Sequence, residues 1–170
     1  KTVAVPVDAG GLPPEALPSD VDVVFATPSH HSPTNATMPV ERRRALLDRA
    51  EQDGFIIVED DYEFEMSFAR PPSPALKSLD DRGSVIYIGS FSKSVFPGLR
   101  LGYLVGPEPF IREARALRSL VLRHPPGHIQ RTLAYFLSLG HYDAQVRRMA
   151  KVYSERRAVM AEAISDTGLA

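Results

Sequence analysis

Apolar and polar positions follow two rhythms along the 170 residues. Up to Gly106, short β-branched and aromatic runs alternate with polar loops: Val3-Ala-Val-Pro-Val7, Val21-Asp-Val-Val-Phe-Ala26, Phe55-Ile-Ile-Val58, Val85-Ile-Tyr-Ile88 and Leu101-Gly-Tyr-Leu-Val105. The first four predict strands, buried ones at Phe55 and Val85. Pro6 makes a central place in a sheet awkward for the first of them. Between the runs, Pro14–Leu17 predicts a short helical piece, and Pro39 stands at a plausible first helical position. Val40, Leu46, Leu47 and Ala50 follow as a partial apolar face, and Gly54 ends that helix. After Gly106 the spacing becomes helical. Phe110, Ala114, Leu117 and Val121 mark one helix; Pro125-Pro126-Gly127 interrupts; Ile129, Leu133, Phe136 and Leu137 mark a second that stops at Gly140. A third runs from about Tyr142 to Ser165 with Val146, Met149, Tyr153, Met160 and Ile164 on one stripe. Such stripes predict core packing.

Strand, helix, strand, connection, strand predicts an α/β fold with a mostly parallel sheet and right-handed crossovers. The strands closing at Ala26, Val58 and Ile88 should therefore lie side by side, with their polar exits on one edge. Residues 1–106 carry the strands and loops, and 107–170 form a helical segment. The length suits one domain or part of a larger one. A net charge of −1 gives no overall electrostatic reason to bind nucleic acid or an anionic membrane. There are no cysteines, which excludes disulfides and thiolate metal sites. No apolar run approaches membrane-spanning length and the start lacks a signal peptide's architecture, so a soluble, cytoplasmic protein is expected. The chain ends without the features of a finished domain, and truncation at both ends is expected.

The chemistry concentrates in Tyr87-Ile-Gly-Ser-Phe-Ser-Lys-Ser-Val-Phe-Pro-Gly-Leu-Arg-Leu-Gly-Tyr103. Ser90, Ser92 and Lys93 leave the strand at its C-terminal end, where open α/β sheets bind ligands, and Arg100 follows just before the next apolar run. Hydroxyls, an ammonium and a guanidinium on one edge suggest an anionic ligand, most simply a phosphate. Three readings of Lys93 stand open: a solvated loop lysine, the lysine of a Ser-x-x-Lys acyl-transfer motif, and an imine-forming amine. The second lacks its Ser-Asp-Asn and Lys-Thr-Gly partners. A second cluster, Glu59-Asp-Asp-Tyr-Glu-Phe-Glu65, ends the Phe55 strand. It could be a solvated acidic loop or hold a divalent metal, though no Gly-x-x-x-x-Gly-Lys-[Ser/Thr] loop accompanies it. It could also present Asp60 to a protonated heterocyclic nitrogen, the arrangement that pairs with a Schiff-base lysine in pyridoxal phosphate (PLP) chemistry. Asp60 and Lys93 then face one ring, Tyr62 reaches its phenolic oxygen, and Ser90, Ser92 and Arg100 hold the phosphate. The histidines do not assemble a metal site: the prolines between His124 and His128 forbid the helix that their interval needs, although His31 could line a pocket.

Taken together, Thr27-Pro-Ser-His-His-Ser-Pro-Thr34, Glu59-Asp-Asp-Tyr62 and Gly89–Tyr103 resemble fold type I PLP-dependent aminotransferases. More narrowly they resemble the aminotransferase-like domain of MocR-type regulators in the GntR superfamily, as does Gly140-His-Tyr-Asp-Ala-Gln-Val-Arg-Arg-Met149. The resemblance implies the large domain of that fold, followed by helices leading towards a small C-terminal domain. It makes Lys93 the internal aldimine lysine, Asp60 the pyridinium partner, Tyr62 the ring-oxygen ligand, and Ser90, Ser92 and Arg100 the phosphate ligands. It implies a PLP- and effector-sensing regulatory domain that responds to a small amino compound, with DNA bound through an N-terminal domain not present here and a homodimer in the intact protein. A free aminotransferase acting on an amino acid is the alternative. Asn35 departs from the glycine usual in the Pro-Thr-Gly turn, and His31 and Ser32 stand where such regulators commonly carry glutamine and an aromatic residue. With part of the cofactor shell expected to lie upstream, weak or absent PLP retention is expected of these 170 residues alone.

Overall fold

A computed structural model describes all residues except 63, 64, 66, 68–72, 125 and 169–170. Glu63 of the acidic run, Pro71, Pro72 and Pro125 thus lie outside the described residues. Four strands form one sheet: β1 (Val23–Ala26), β2 (Ile56–Asp61), β3 (Val85–Ser90) and β4 (Gly102–Val105), in spatial order β1-β2-β3-β4. The first three are parallel and β4 returns antiparallel to β3. The crossovers carry α1 (Val40–Asp53) and the one-turn α2 (Leu76–Leu79), and β4 leads into α3 (Glu108–Val121), α4 (Gly127–Ser138) and α5 (His141–Asp166). The register Ala26↔Glu59 and Asp60↔Ile88 sets the ends of β1, β2 and β3 side by side, as the sequence predicts. No described helix is long and apolar enough to cross a membrane.

Local chemistry accounts for most element ends. Gly54 closes α1 in the left-handed conformation that a glycine adopts without penalty, and its N–H bonds to Ala50 O. Pro39 sits one place before the helix, as N-cap. Asp80 initiates β3: its Oδ1 accepts from the N–H groups of Arg82, Gly83 and Ser84, and its Oδ2 from Val85 N–H at 3.0 Å and Lys77 Nζ at 2.8 Å. Burial pushes the Asp80 carboxyl up, but Lys77 and these amides outweigh it and hold the group below the usual carboxylate range.

Two expectations need correction. Residues 3–7 form no strand; an isolated bridge between Asp8 and Gly11 is the pairing found there. Pro6 removes a ladder donor from that run. The strands at Phe55 and Val85 are buried as expected, with Phe55, Ile57, Val85 and Ile86 all inside. The core of Leu17, Val24, Met38, Leu46, Ala50, Phe55, Ile57, Leu76 and Val85 lies between α1, α2 and one sheet face. On the other face Val23 and Leu104 are exposed, and Phe25 is 77% exposed. Finally, the apolar stripes of α3 and α5 do not enter this core: neither helix has a buried residue, and Leu117, Val121, Met160 and Ile164 are all exposed. Helical spacing identifies the helices, but burial also needs an opposing surface: Ala114, Val146 and Met149 are half-buried, and the outer positions of the stripes lie open.

Candidate functional site

The acidic strand end is sorted by strand alternation. Side chains on β2 alternate between the faces, so Glu59 and Asp61 point into the packed side and Asp60 to the other. Glu59, fully buried, accepts from Leu76 N–H at 2.8 Å and Lys77 N–H at 2.9 Å, capping α2. Burial raises the Glu59 carboxyl above its ordinary range, with those two amides working against it. Arg43, equally buried, lies 3.8 Å from Glu59 Oε1 and donates to the carbonyls of Met38, Pro74 and Pro28 at 3.0, 3.1 and 2.8 Å. It thereby fixes the loop after β1 and the approach to α2. Asp61 Oδ2 accepts from Ser29 Oγ at 3.2 Å, joining that same loop to the end of β2.

Asp60 is left on the opposite face, with Ile88 beside it in register and Ser90 two residues farther along the same face. It makes no ion pair among the described residues, and burial alone pushes its carboxyl above the ordinary range. It lines a cleft of about 970 Å³ together with Ala26, Thr27, His31 and the 1–7 segment. His31 Nδ1 meets Thr34 Oγ1 at 2.7 Å, and the turn that follows is closed by Asn35 N–H to His31 O. Asn35 has φ +56°, the left-handed conformation that explains why asparagine can stand where a glycine is usual. Tyr62 donates to His30 O at 3.1 Å, so with its single proton engaged the phenol oxygen can act toward a ligand only as an acceptor until that bond is released.

Lys93 lies in a loop closed at its base. Ser90 pairs with Gly102 across β3 and β4, and Phe91 N–H bonds to Leu101 O at 3.2 Å. Inside the loop Val95 N–H bonds to Phe91 O, and Ser92 N–H to Ser90 Oγ at 3.1 Å. Lys93 is exposed, and Ser94 after it is fully buried. Gly89 lets Tyr103 cross the strand: a Cβ there would stand 2.2 Å from the Tyr103 ring. Arg100, at φ +51°, lines a hollow of about 270 Å³ with Phe91, Arg118, Gln130 and Leu133. Asp60 and Arg100 therefore border different hollows, while Asp60, Ser90, Ser92 and Lys93 share the sheet's C-terminal edge. No group of three His, Asp or Glu among the described residues is placed to hold a metal ion.

Two contacts of the site have no sequence signal. Glu65 accepts a short hydrogen bond from the Tyr142 hydroxyl at the start of α5, and the same hydroxyl lies 3.0 Å from Ser94 Oγ. Residues separated by 77 and 48 positions meet here, which no local pattern reveals.

Parallel strands ending in an aspartate and in a serine-flanked lysine, with an antiparallel strand closing the lysine loop, define the large-domain sheet of fold type I aminotransferases. The chain superposes with TM-score 0.89 and 31% identity on a crystal structure of Pyrococcus horikoshii kynurenine aminotransferase in complex with PMP, covering 96% of this chain and 43% of that one. The family model described as aminotransferase class I and II matches residues 14–170, and the chain belongs to that family. Among curated proteins it is 62% identical over 169 residues to the HTH-type transcriptional regulator TauR of Rhodobacter capsulatus, covering 99% of this chain and 35% of TauR. It is 38% identical over 161 residues to the probable rhizopine catabolism regulatory protein MocR of Rhizobium meliloti, covering 94% of this chain and 32% of that protein. The chain thus spans about a third of the length of these regulators.

Proposed function

We propose that this chain is the aminotransferase-like, effector-sensing domain of a MocR-type transcriptional regulator of the GntR superfamily, with PLP attached through Lys93. The observation that carries the reading is the β2–β3 register, which sets Asp60 beside Ile88 and Ser90 on one face, at the edge from which Lys93 departs. Asp60 fits such a group well: a partly desolvated carboxyl without an ion pair among the described residues favours a cation at its oxygens. When bound, PLP supplies an electron sink for bonds at an attached amino compound. Asp60 would hold the proton on the ring nitrogen, Tyr62 would donate to the ring oxygen once its bond to His30 O is released, and Ser90, Ser92 and Arg100 would bind the phosphate. In a regulator, binding of an amino compound changes which conformation of the domain is favoured, and an N-terminal DNA-binding domain responds. The regulatory names of the similar proteins support that half of the reading. The intact protein is proposed to act in the cytoplasm as a homodimer.

The test uses the full-length protein with PLP, reduced with borohydride and mapped by peptide mass. The adduct is expected on Lys93 and lost in Lys93→Ala; an adduct at another lysine, or none, overturns the assignment. The likeness to a kynurenine aminotransferase favours a second reading, a free aminotransferase. PLP-dependent operator binding without sustained transamination supports the regulator, and multiple turnovers with an amino acid support the enzyme.

A further inference from the structure

We propose that Tyr142 is a positioning residue that ties the lysine loop to helix α5, so that the setting of Lys93 and the position of that helix change together. Its use rests on the proposed role of Lys93, whereas the mechanical link stands on geometry alone. Tyr142 is the second residue of α5. Its ring meets Phe91 edge-on, with centroids 5.9 Å apart and planes at 82°. Its oxygen lies 3.0 Å from Ser94 Oγ. Phe91 and Ser94 flank Lys93, so one side chain grips the loop on both sides of the lysine.

The hydrogen bonds have a direction. A phenol carries one proton, and Tyr142 gives it to Glu65 Oε1, so the buried Ser94 hydroxyl donates to the tyrosine oxygen. Burial, and then the Glu65 carboxylate, push the Tyr142 hydroxyl well above its ordinary pKa, which keeps that proton in place across the physiological range. Glu65 follows Asp60 and Tyr62 in the segment leaving β2. The hydroxyl therefore joins three chain segments: the acidic exit of β2, the lysine exit of β3 and the start of α5.

Helix α5 contains no buried residue along its 26 positions and reaches the lysine loop through its first turn. At 1.5 Å per residue it is a lever about 39 Å long. A rearrangement at Phe91 and Ser94 that breaks or turns the Tyr142 bonds moves the fulcrum of that lever. A plain packing anchor predicts something else: Tyr142→Phe keeps the ring against Phe91, loses the hydroxyl alone, and should then be silent.

The experiment compares full-length wild type, Tyr142→Phe, Ser94→Ala and the double variant by hydrogen exchange without PLP. Ser94→Ala removes a single oxygen and serves as the independent arm should Tyr142→Phe lower the yield of folded protein. Each single variant is expected to speed exchange at residues 91–96 about tenfold, the effect of losing one buried hydrogen bond. The double variant is expected to add little, because both changes break one link. With PLP bound, the pH midpoint of its visible absorbance is expected to shift in both variants. Unchanged exchange over 91–96 in both overturns the link, and changed exchange with an unmoved midpoint overturns the positioning of Lys93. A wild type that forms no Lys93 adduct would instead remove the PLP reading, leaving the exchange result to decide the mechanical link separately.

Discussion

Alternation along β2 gives Asp60 and Asp61 different surroundings, and the pH behaviour of the site follows from that difference. Burial raises Asp60, and a ring cation needs the ionised form. The ionised fraction is full above this raised pKa and is lost as pH falls through it. PLP retention in the full-length protein is therefore expected to fall on acidification at a pH above the usual carboxylate range, as followed by absorbance after gel filtration. Asp60→Asn should remove that acid limb and weaken retention at neutral pH by about ten- to hundredfold, the range for one charge-assisted hydrogen bond. Gly89 is constrained by shape instead. With the Tyr103 ring 2.2 Å from where a Cβ would stand, Gly89→Ala should cost about 1–3 kcal/mol through overpacking, measured by urea denaturation.

Among the elements, β2 and β3 each run past the apolar residues that announce them, to Asp61 and Ser90. The sequence shows strands ending at Val58 and Ile88 because Glu, Asp, Gly and Ser have little intrinsic preference for strands; pairing with a neighbour extends them. So the acidic motif and the lysine motif were legible as chemistry and their order as topology, whereas the face each acid takes had to await the register. Buried Arg43 gives no signal at all, since it reads as one of three surface arginines at 42–44 until its partners, the carbonyls of Pro28, Met38 and Pro74, are seen together. Arg43→Met should destabilise the fold by about 3–5 kcal/mol, because it strands Glu59 as a buried charge. At the start of β3, Asp80→Asn should cost about 1–3 kcal/mol at neutral pH by weakening four amide bonds and the Lys77 pair. Its folded pKa is depressed, so its stabilisation is full above the unfolded carboxylate value and fades as pH falls towards the folded one. Melting curves of wild type and variant should converge in that acid window.

For the molecule as a whole, one sheet face is packed and the other bears Val23, Phe25 and Leu104 in the open, with β1 and β4 as unpaired edges among the described strands. Expressed alone, these 170 residues are expected to self-associate with rising concentration, as light scattering would show. Phe25→Lys, at a position 77% exposed, should suppress that association without lowering the melting temperature. The lysine loop behaves oppositely to these open edges, since Ser90–Gly102 pairing and the Phe91–Leu101 bond hold both of its ends in the sheet. A segment tethered at both feet has little slack in which to dissipate a disturbance. A fluorophore placed far along α5 could therefore serve as a remote gauge of chemistry at the sheet edge, read without touching the residues that perform it.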